Sequence, residues 1–122
     1  MKNYILEVCV DSLESALAAE KGGANRLESC SGLVIGGLTP SPSLFLAIKN
    51  QCKIKIHVLI RPRFGDFCYS DGEFANILED VKLFQSLGAD GVVIGCLLPD
   101  GELDVKRLQS FRFYVCNSSS SL

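Results

Sequence analysis

The fold is decided by the stretch Gly22-Gly23-Ala24-Asn25-Arg26-Leu27-Glu28-Ser29-Cys30-Ser31-Gly32, which leads into a second glycine-rich run, Gly36-Gly37-Leu38-Thr39-Pro40-Ser41. The first glycine pair predicts a helix end, the run after it predicts a strand, and the Ser-Pro residues predict the start of another helix. The segment Glu28-Ser29-Cys30 also repeats Glu7-Val8-Cys9 near the N-terminus. Two successive strands therefore end in Glu-x-Cys, each followed by a polar loop.

Strands and helices alternate along the rest of the chain. Runs of β-forming residues predict strands at 4–10, 26–30, 53–60 and 91–95. Apolar residues at helical spacing predict helices at 13–21, 74–87 and 104–111, and a further helix that starts at 39–43 and has its apolar face at Leu44, Phe45, Ala47 and Ile48. Each strand-helix unit takes about thirty residues, the size of a β-strand with its crossover helix. The fold class is therefore α/β, with a parallel sheet and right-handed crossovers. A doubly wound sheet fits this order, and so does about the first half of a (βα)8 barrel, since a complete barrel takes ~250 residues.

Composition excludes several classes of function. The 122 residues are 48% hydrophobic and 21% charged, with a net charge of −2, so no general attraction to nucleic acid or to an anionic membrane is predicted. No apolar run is long enough for a membrane span, and no signal peptide is predicted. Six cysteines are spread along the chain without a Cys-x-x-Cys pair, which indicates a reducing, cytoplasmic setting and mostly buried thiols. They are Cys9, Cys30, Cys52, Cys68, Cys96 and Cys116.

The ordered motifs resemble the copper-homeostasis (CutC) family over roughly residues 4–110. The matching segments are Glu7-Val8-Cys9-Val10-Asp11-Ser12, Gly22 to Glu28, Cys30-Ser31-Gly32-Leu33, Gly36 to Ser41, Ile60-Arg61-Pro62-Arg63, Gly65-Asp66-Phe67 and Gly88 to Val93. The resemblance implies a TIM-type (βα)8 barrel, a role in copper homeostasis, a cytoplasmic or also nuclear location, and a homo-oligomer in full-length members. It also implies that Cys9 and Cys30 hold copper as Cu(I). Residues 1–111 would form part of the family domain, which continues through four more strands, and residues 112–122 would form a divergent, serine-rich, disordered tail.

Strand alternation predicts which side chains share the inner face of the sheet. On this pattern Glu7, Cys9, Glu28 and Cys30 point inward, and so does His57. Because neighbouring parallel strands lie about 4.8 Å apart, Cys9 and Cys30 at matching strand ends would be close enough to clamp one soft ion. The same placement also allows a disulfide, or two core cysteines without a metal. Cys68, in the loop near the strand ends, is a candidate third ligand.

A second set of residues predicts chemistry on a small anionic substrate. Glu28, Arg61 and Asp66 lie at or after strand ends, where barrel enzymes keep their catalytic groups, and a guanidinium binds phosphate or carboxylate in bidentate fashion. The alternatives are a compensated ion network for Glu7, Glu28 and Arg61, and a salt bridge between Arg63 and Asp66 within the loop. The hypotheses are therefore a copper-binding protein, a barrel enzyme of unknown activity, or an inactive truncated isoform, with metal binding favoured over enzymatic activity.

Overall fold

The computed structural model describes residues 4–112 and contains four β/α units. The strands are β1 (Glu7–Val10), β2 (Arg26–Ser29), β3 (Lys55–Leu59) and β4 (Gly91–Val93). The helices are α1 (Leu13–Lys21), α2 (Pro42–Gln51), α3 (Asp71–Ser86) and α4 (Val105–Ser110). The predicted βαβαβαβα order is confirmed. Each strand is shorter than its sequence run, although Cys30 and Ile60, just beyond β2 and β3, still donate to the neighbouring strand.

The strands pair in parallel in the order β1-β2-β3-β4. A doubly wound sheet reverses its strand order at a switch point, with helices on both faces. The sequential order here winds in one direction only, so right-handed crossovers place every helix on the same face. The geometry is therefore that of a barrel wall, and the doubly wound alternative was wrong.

The core lies between the sheet and the helices. Strand residues Val10, Leu27, Ile56 and Val58 are 0–3% exposed on that face. They pack with helix residues such as Phe45, whose ring contacts that of Phe84 edge-to-face at 5.6 Å. Cys52 and Cys96 belong to this core, which confirms the prediction of buried thiols for both of them. Side chains alternate between the two faces as predicted from the sequence. Residues with odd numbers in β1 and β3, and with even numbers in β2, point to the inner face, away from the helices.

Serine residues begin three of the helices. Ser12 Oγ accepts from the Ser15 N–H and Ser41 Oγ accepts from the Leu44 N–H. Ser70 forms a reciprocal capping box with Glu73 at the start of α3. These caps fix where each helix begins, and hence how the strand-end loops lie over the sheet.

The remaining features of the described residues are the length of the helices and one short helical turn in a loop. Within the stretch from Tyr4 to Arg112, no helix is long and apolar enough to cross a membrane. A one-turn 3-10 helix, Leu33–Ile35, which the sequence did not predict, lies in the loop after β2. Cys116 and the predicted serine-rich tail lie outside the described residues, apart from Arg112.

Candidate functional site at the strand ends

The inner face of the sheet carries a row of polar side chains. The strand register places Cys9 beside Glu28, Glu28 beside His57, and His57 beside Gly91. Gly91 has no side chain, and a Cβ atom there would lie 2.9 Å from His57 Nε2. The glycine therefore makes room for the imidazole, and the row of polar side chains on β1, β2 and β3 extends over β4.

Cys9 and Glu28 form the first pair of this row. Burial raises the pKa of the Cys9 thiol, and the negative charges of Glu28 and Glu7 and a hydrogen bond with Glu28 raise it further. The pKa of Glu28 is also raised, first by burial and then by the charge of Glu7. Cys9 is consequently a protonated thiol at neutral pH, on a side chain that solvent can reach.

Cys30 lies one residue beyond the end of β2, under the loop that follows. Its side chain is 1% exposed and its thiol donates to the Val10 carbonyl oxygen at 3.5 Å. Gly37, at a φ of +95°, lies over it so closely that a Cβ atom would be 3.8 Å from Cys30 Sγ and 3.0 Å from Leu59 Cδ2. Burial first, then the charge of Cys9, raises the pKa of Cys30 to about 11.

The two thiols are not level, contrary to the prediction that they lie at matching strand ends. Cys9 pairs with Glu28, and the Cys30 N–H donates to Val10, so Cys30 lies two residues further along and level with Asp11. Strand spacing and rise then put the two Cα atoms about 8 Å apart, beyond ordinary disulfide separations of up to about 6.8 Å. Both cysteines are free thiols. They remain diagonal neighbours on one face, within electrostatic range of each other.

An ion network lies on the same face as the thiols, nearer the N-terminal ends of the strands. Arg26 Nε donates to Glu7 Oε2 at 2.6 Å, and His57 Nδ1 lies 3.9 Å from the same oxygen. Burial and the nearby Arg26 charge lower the pKa of His57, which keeps the imidazole neutral at pH 7. Glu7 is therefore compensated as the ion-network alternative predicted, and its contact with His57 reaches across the intervening strand.

Arg61 joins the two loops above the sheet. Its Nη1 donates to the carbonyl oxygens of Ile35 at 3.2 Å and Gly37 at 3.0 Å, and Nη2 donates to Gly65 at 2.9 Å. The guanidinium also lies 5.2 Å from the centroid of the Phe67 ring. Three of its five N–H groups thereby donate to backbone carbonyls, which fits a structural link between loops better than an open clamp for an anion.

Asp66 has a local role in the same region. It pairs with Arg63, Oδ1 to Nη2 at 3.1 Å, as the loop salt-bridge alternative predicted, and it accepts from the Cys68 N–H. Arg63 also binds Glu73 in a fork, with Nε to Oε2 at 2.8 Å and Nη2 to Oε1 at 3.3 Å. No hydrogen bond or ion pair among residues 4–112 joins Glu28, Arg61 and Asp66 to one another, so their catalytic role stays a prediction.

A third metal ligand is not assembled either. Within the described part of the chain, no group of three or more His, Cys, Asp or Glu side chains is arranged to hold a metal ion. Cys68 is half-buried in its loop, and its carbonyl oxygen accepts from Arg63. The expectation that Cys68 completes a three-ligand set is therefore wrong for this structure.

A cavity that the sequence did not indicate opens at the ends of β3 and β4. Its volume is about 330 Å³, and its walls are apolar, including Leu59, Phe67, Val93 and Cys96. Scattered glycine and leucine residues give no periodic signal for such a space. Arg61 Nε, buried and without a partner among residues 4–112, belongs to the side chain that covers Phe67.

Comparison with known proteins identifies the family to which this chain belongs. The family model described as "CutC family" matches residues 4–114. The chain belongs to the CutC family. A CutC family protein of Bacteroides fragilis is 50% identical over 106 residues, which are 86% of this chain and 42% of the relative. The human protein named "Copper homeostasis protein cutC homolog" is 50% identical over 101 residues, 83% of this chain and 37% of that protein.

The CutC fold is confirmed by a solved structure. The crystal structure of a CutC copper homeostasis protein from Streptococcus agalactiae matches with a TM-score of 0.84 and 28% identity, over 93% of this chain and 56% of that chain. The chain therefore has the TIM-barrel type of fold that the sequence predicted. It spans half or less of the length of the curated relatives it matches.

Proposed function

We propose that this CutC-family chain takes part in copper homeostasis and binds Cu(I) as its cargo through the thiolates of Cys9 and Cys30, in a reducing, cytoplasmic compartment. The proposal is supported by relatives named for copper homeostasis. The observation that carries it is the pair of free thiols on one face of adjacent strands. Sulfur is the soft donor that Cu(I) prefers, and zinc would require about four ligands.

The surrounding charges suit a cation. Glu7, Glu28 and Asp11 each raise the pKa of one or both thiols, which means that negative potential is concentrated at the sulfurs. The same potential that disfavours a free thiolate attracts a Cu(I) ion. Because both thiols are protonated at neutral pH, one Cu(I) that displaces both protons changes the charge of the pair from 0 to −1.

The direct test is an anaerobic titration of the chain against a chromophoric Cu(I) chelator. We expect one Cu(I) per chain to be withdrawn from the chelator, and we expect the Cys68→Ser variant to behave like the wild type, because Cys68 lies outside the pair. A wild-type chain that withdraws no Cu(I) from the chelator contradicts the proposal. A Cys68→Ser variant with weaker binding would move the site into the loop after β3.

Copper affinity should depend steeply on pH. The pKa of both thiols is raised, to about 11 for Cys30, so both carry protons at pH 6–8 that Cu(I) must displace. Two displaced protons make the apparent affinity rise by roughly 100-fold per pH unit over this range and fall as pH is lowered. The measurement is the chelator competition repeated at pH 6, 7 and 8, corrected for protonation of the chelator. A flat profile would show that the bound species does not displace thiol protons.

A second candidate function is binding of a small molecule at the strand ends, as in barrel enzymes. The apolar cavity beside Phe67 and the unpartnered Arg61 Nε are the observations that favour it. Melting temperatures in the presence of a panel of small carboxylates and phosphates test it. A concentration-dependent increase with one of them, and none with Arg61→Lys, is the expected result if the site takes an anion.

A further inference from the structure

Residues 32–37 form a short turn in the loop after β2, and the base of this turn is fixed. At the base the Ser31 N–H donates to the Leu38 carbonyl oxygen at 2.8 Å, and the Leu38 N–H donates to the Ser31 carbonyl oxygen at 2.7 Å. Thr39 follows, and its N–H donates to the Arg61 carbonyl oxygen at 3.0 Å while its Oγ1 accepts from the Arg61 N–H at 2.9 Å. The base of the turn is therefore attached to the backbone that follows β3.

The body of the turn is attached much less firmly than its base. Its backbone bonds are local, since the N–H groups of Ile35 and Gly37 both donate to the Gly32 carbonyl oxygen. Within residues 4–112, the hydrogen bonds that join the turn to other parts of the chain are the two from Arg61 Nη1, to Ile35 and Gly37. Gly32 and Gly37, at the two ends, have φ angles of +57° and +95°, where a residue without a Cβ atom moves freely.

The turn covers one of the two candidate copper ligands. The Cys30 side chain is 1% exposed, and a Cβ atom on Gly37 would lie 3.8 Å from Cys30 Sγ, so the glycine backbone lies against the sulfur. Cys9 is exposed in the described part of the chain. A reagent or an ion therefore cannot reach the Cys30 sulfur while the turn is in place.

We propose that residues 32–37 form a lid that controls access to Cys30 and that Arg61 holds the lid closed. In the structure the lid is closed. It opens by rotation about the base formed by Ser31 and Leu38 when the two bonds from Arg61 Nη1 break. The role of the lid in copper uptake rests on the proposed function, whereas the motion itself is a property of the metal-free chain.

Opening the lid disturbs little of the rest of the structure. Leu33, Val34 and Ile35 at its tip are 40–99% exposed among the described residues, so few apolar contacts are lost. The sheet and the base of the turn keep their hydrogen bonds. Cys30 should therefore become accessible by local opening, whereas Cys52 and Cys96 in the core become accessible by global unfolding.

The test measures the reactivity of each thiol in the reduced, metal-free chain. The chain is treated with short pulses of iodoacetamide in increasing urea below the unfolding transition, and each cysteine is quantified by peptide mass spectrometry. We expect the rate at Cys30 to be independent of urea, because lid opening exposes little surface. The rates at Cys52 and Cys96 should rise with urea, because unfolding exposes much more.

Two variants should open the lid by different means. Arg61→Ala removes both bonds to the turn, so the urea-independent rate at Cys30 should increase by roughly 100-fold, the effect of losing two hydrogen bonds from a charged donor. Gly37→Ala keeps Arg61 but places a Cβ atom 3.0 Å from Leu59 Cδ2 at a positive φ, which strains the closed lid. The rate at Cys30 should then increase by about 10-fold.

Ile77→Val is the matched control, because Ile77 is 1% exposed in the core on α3 and contributes nothing to the turn. The loss of one buried methylene lowers global stability, so the rates at Cys52 and Cys96 should rise by roughly 5-fold. The rate at Cys30 should not change.

The proposal is overturned by a Cys30 rate that rises with urea in parallel with the core thiols. It is also overturned by an unchanged Cys30 rate in a folded Arg61→Ala, or by Ile77→Val accelerating all three thiols alike. If Arg61→Ala does not fold, the wild type and Gly37→Ala decide.

Copper uptake separates the lid from the proposed function. With a Cu(I)–chelator complex in excess under anaerobic conditions, the uptake rate should reach a limit that is independent of the complex concentration and higher in Arg61→Ala. An uptake rate that stays proportional to the concentration of the complex would overturn the role of the lid in uptake. A chain that takes up no Cu(I) contradicts the proposed function, and the thiol rates then still decide whether the lid exists.

Discussion

The Cys30→Ser variant is expected to lose Cu(I) affinity by ~100-fold or more while it keeps its fold, because a hydroxyl is a hard donor that binds Cu(I) poorly. Serine is nearly the size of cysteine, and its hydroxyl can donate to the Val10 carbonyl oxygen that the thiol now contacts. Little stability should therefore be lost. Cys9→Ser should have an effect of the same order, since its hydroxyl retains the contact with Glu28 but not the sulfur ligand.

Chelator competition of both variants under anaerobic conditions measures this effect, with thermal melting as the check on folding. Cys68→Ser is the matched control, because it makes the same chemical change in the loop that carries Arg63 and Asp66. Wild-type affinity in both Cys9→Ser and Cys30→Ser would remove these residues as ligands. Loss in only one of them would indicate a single thiolate and a ligand of another kind.

Arg61→Ala is expected to lower the free energy of unfolding by about 3 kcal/mol, because it removes three hydrogen bonds from a charged donor to the carbonyl oxygens of Ile35, Gly37 and Gly65. For a chain of this size the melting temperature should fall by roughly 10 °C. The melting temperature of Arg61→Lys should lie between those of the wild type and Arg61→Ala, because one ammonium cannot reach all three carbonyl oxygens as the guanidinium does.

The measurement is thermal melting in a buffer free of phosphate and carboxylate. Val34→Ala is the control, because Val34 is 99% exposed in the same loop that Arg61 holds. An Arg61→Ala chain as stable as wild type would be incompatible with a structural role. That result would favour the alternative role of Arg61, in which the guanidinium stabilises the protein only when it binds an anion.

Local chemistry made much of the fold predictable from sequence. The start of α1 at Ser12 and its end at Gly22 follow from a side-chain cap and a glycine, both of which act within one helical turn. The unit length of about thirty residues then limits the topology to βα repeats. The choice between a barrel wall and a doubly wound sheet was not predictable from the order of elements and came from the family resemblance, because it depends on which strands become neighbours over long sequence distances.

The sequence predicted which residues form the candidate site and which face of the sheet they share. It did not predict their positions relative to one another along the strand direction. Alternation placed Cys9, Glu28, Cys30 and His57 on one face because the period of a strand is two. Strand register is set by packing of the whole sheet, so the offset of Cys30 from Cys9 had no local signal. The bonds of Arg61 were equally invisible, because their acceptors are backbone carbonyls, which any residue supplies.

The contacts of Arg61 also bear on how quickly an ion could be exchanged. Gly37 covers Cys30, and its carbonyl oxygen is held by the same guanidinium that holds Gly65 in the neighbouring loop. Movement of the Gly37 loop away from the sulfur must therefore break the two bonds from Arg61 Nη1. Under the proposed function, the residence time of Cu(I) would be limited by this loosening of the loop as well as by the strength of the copper–sulfur bonds, and Arg61→Ala should shorten it.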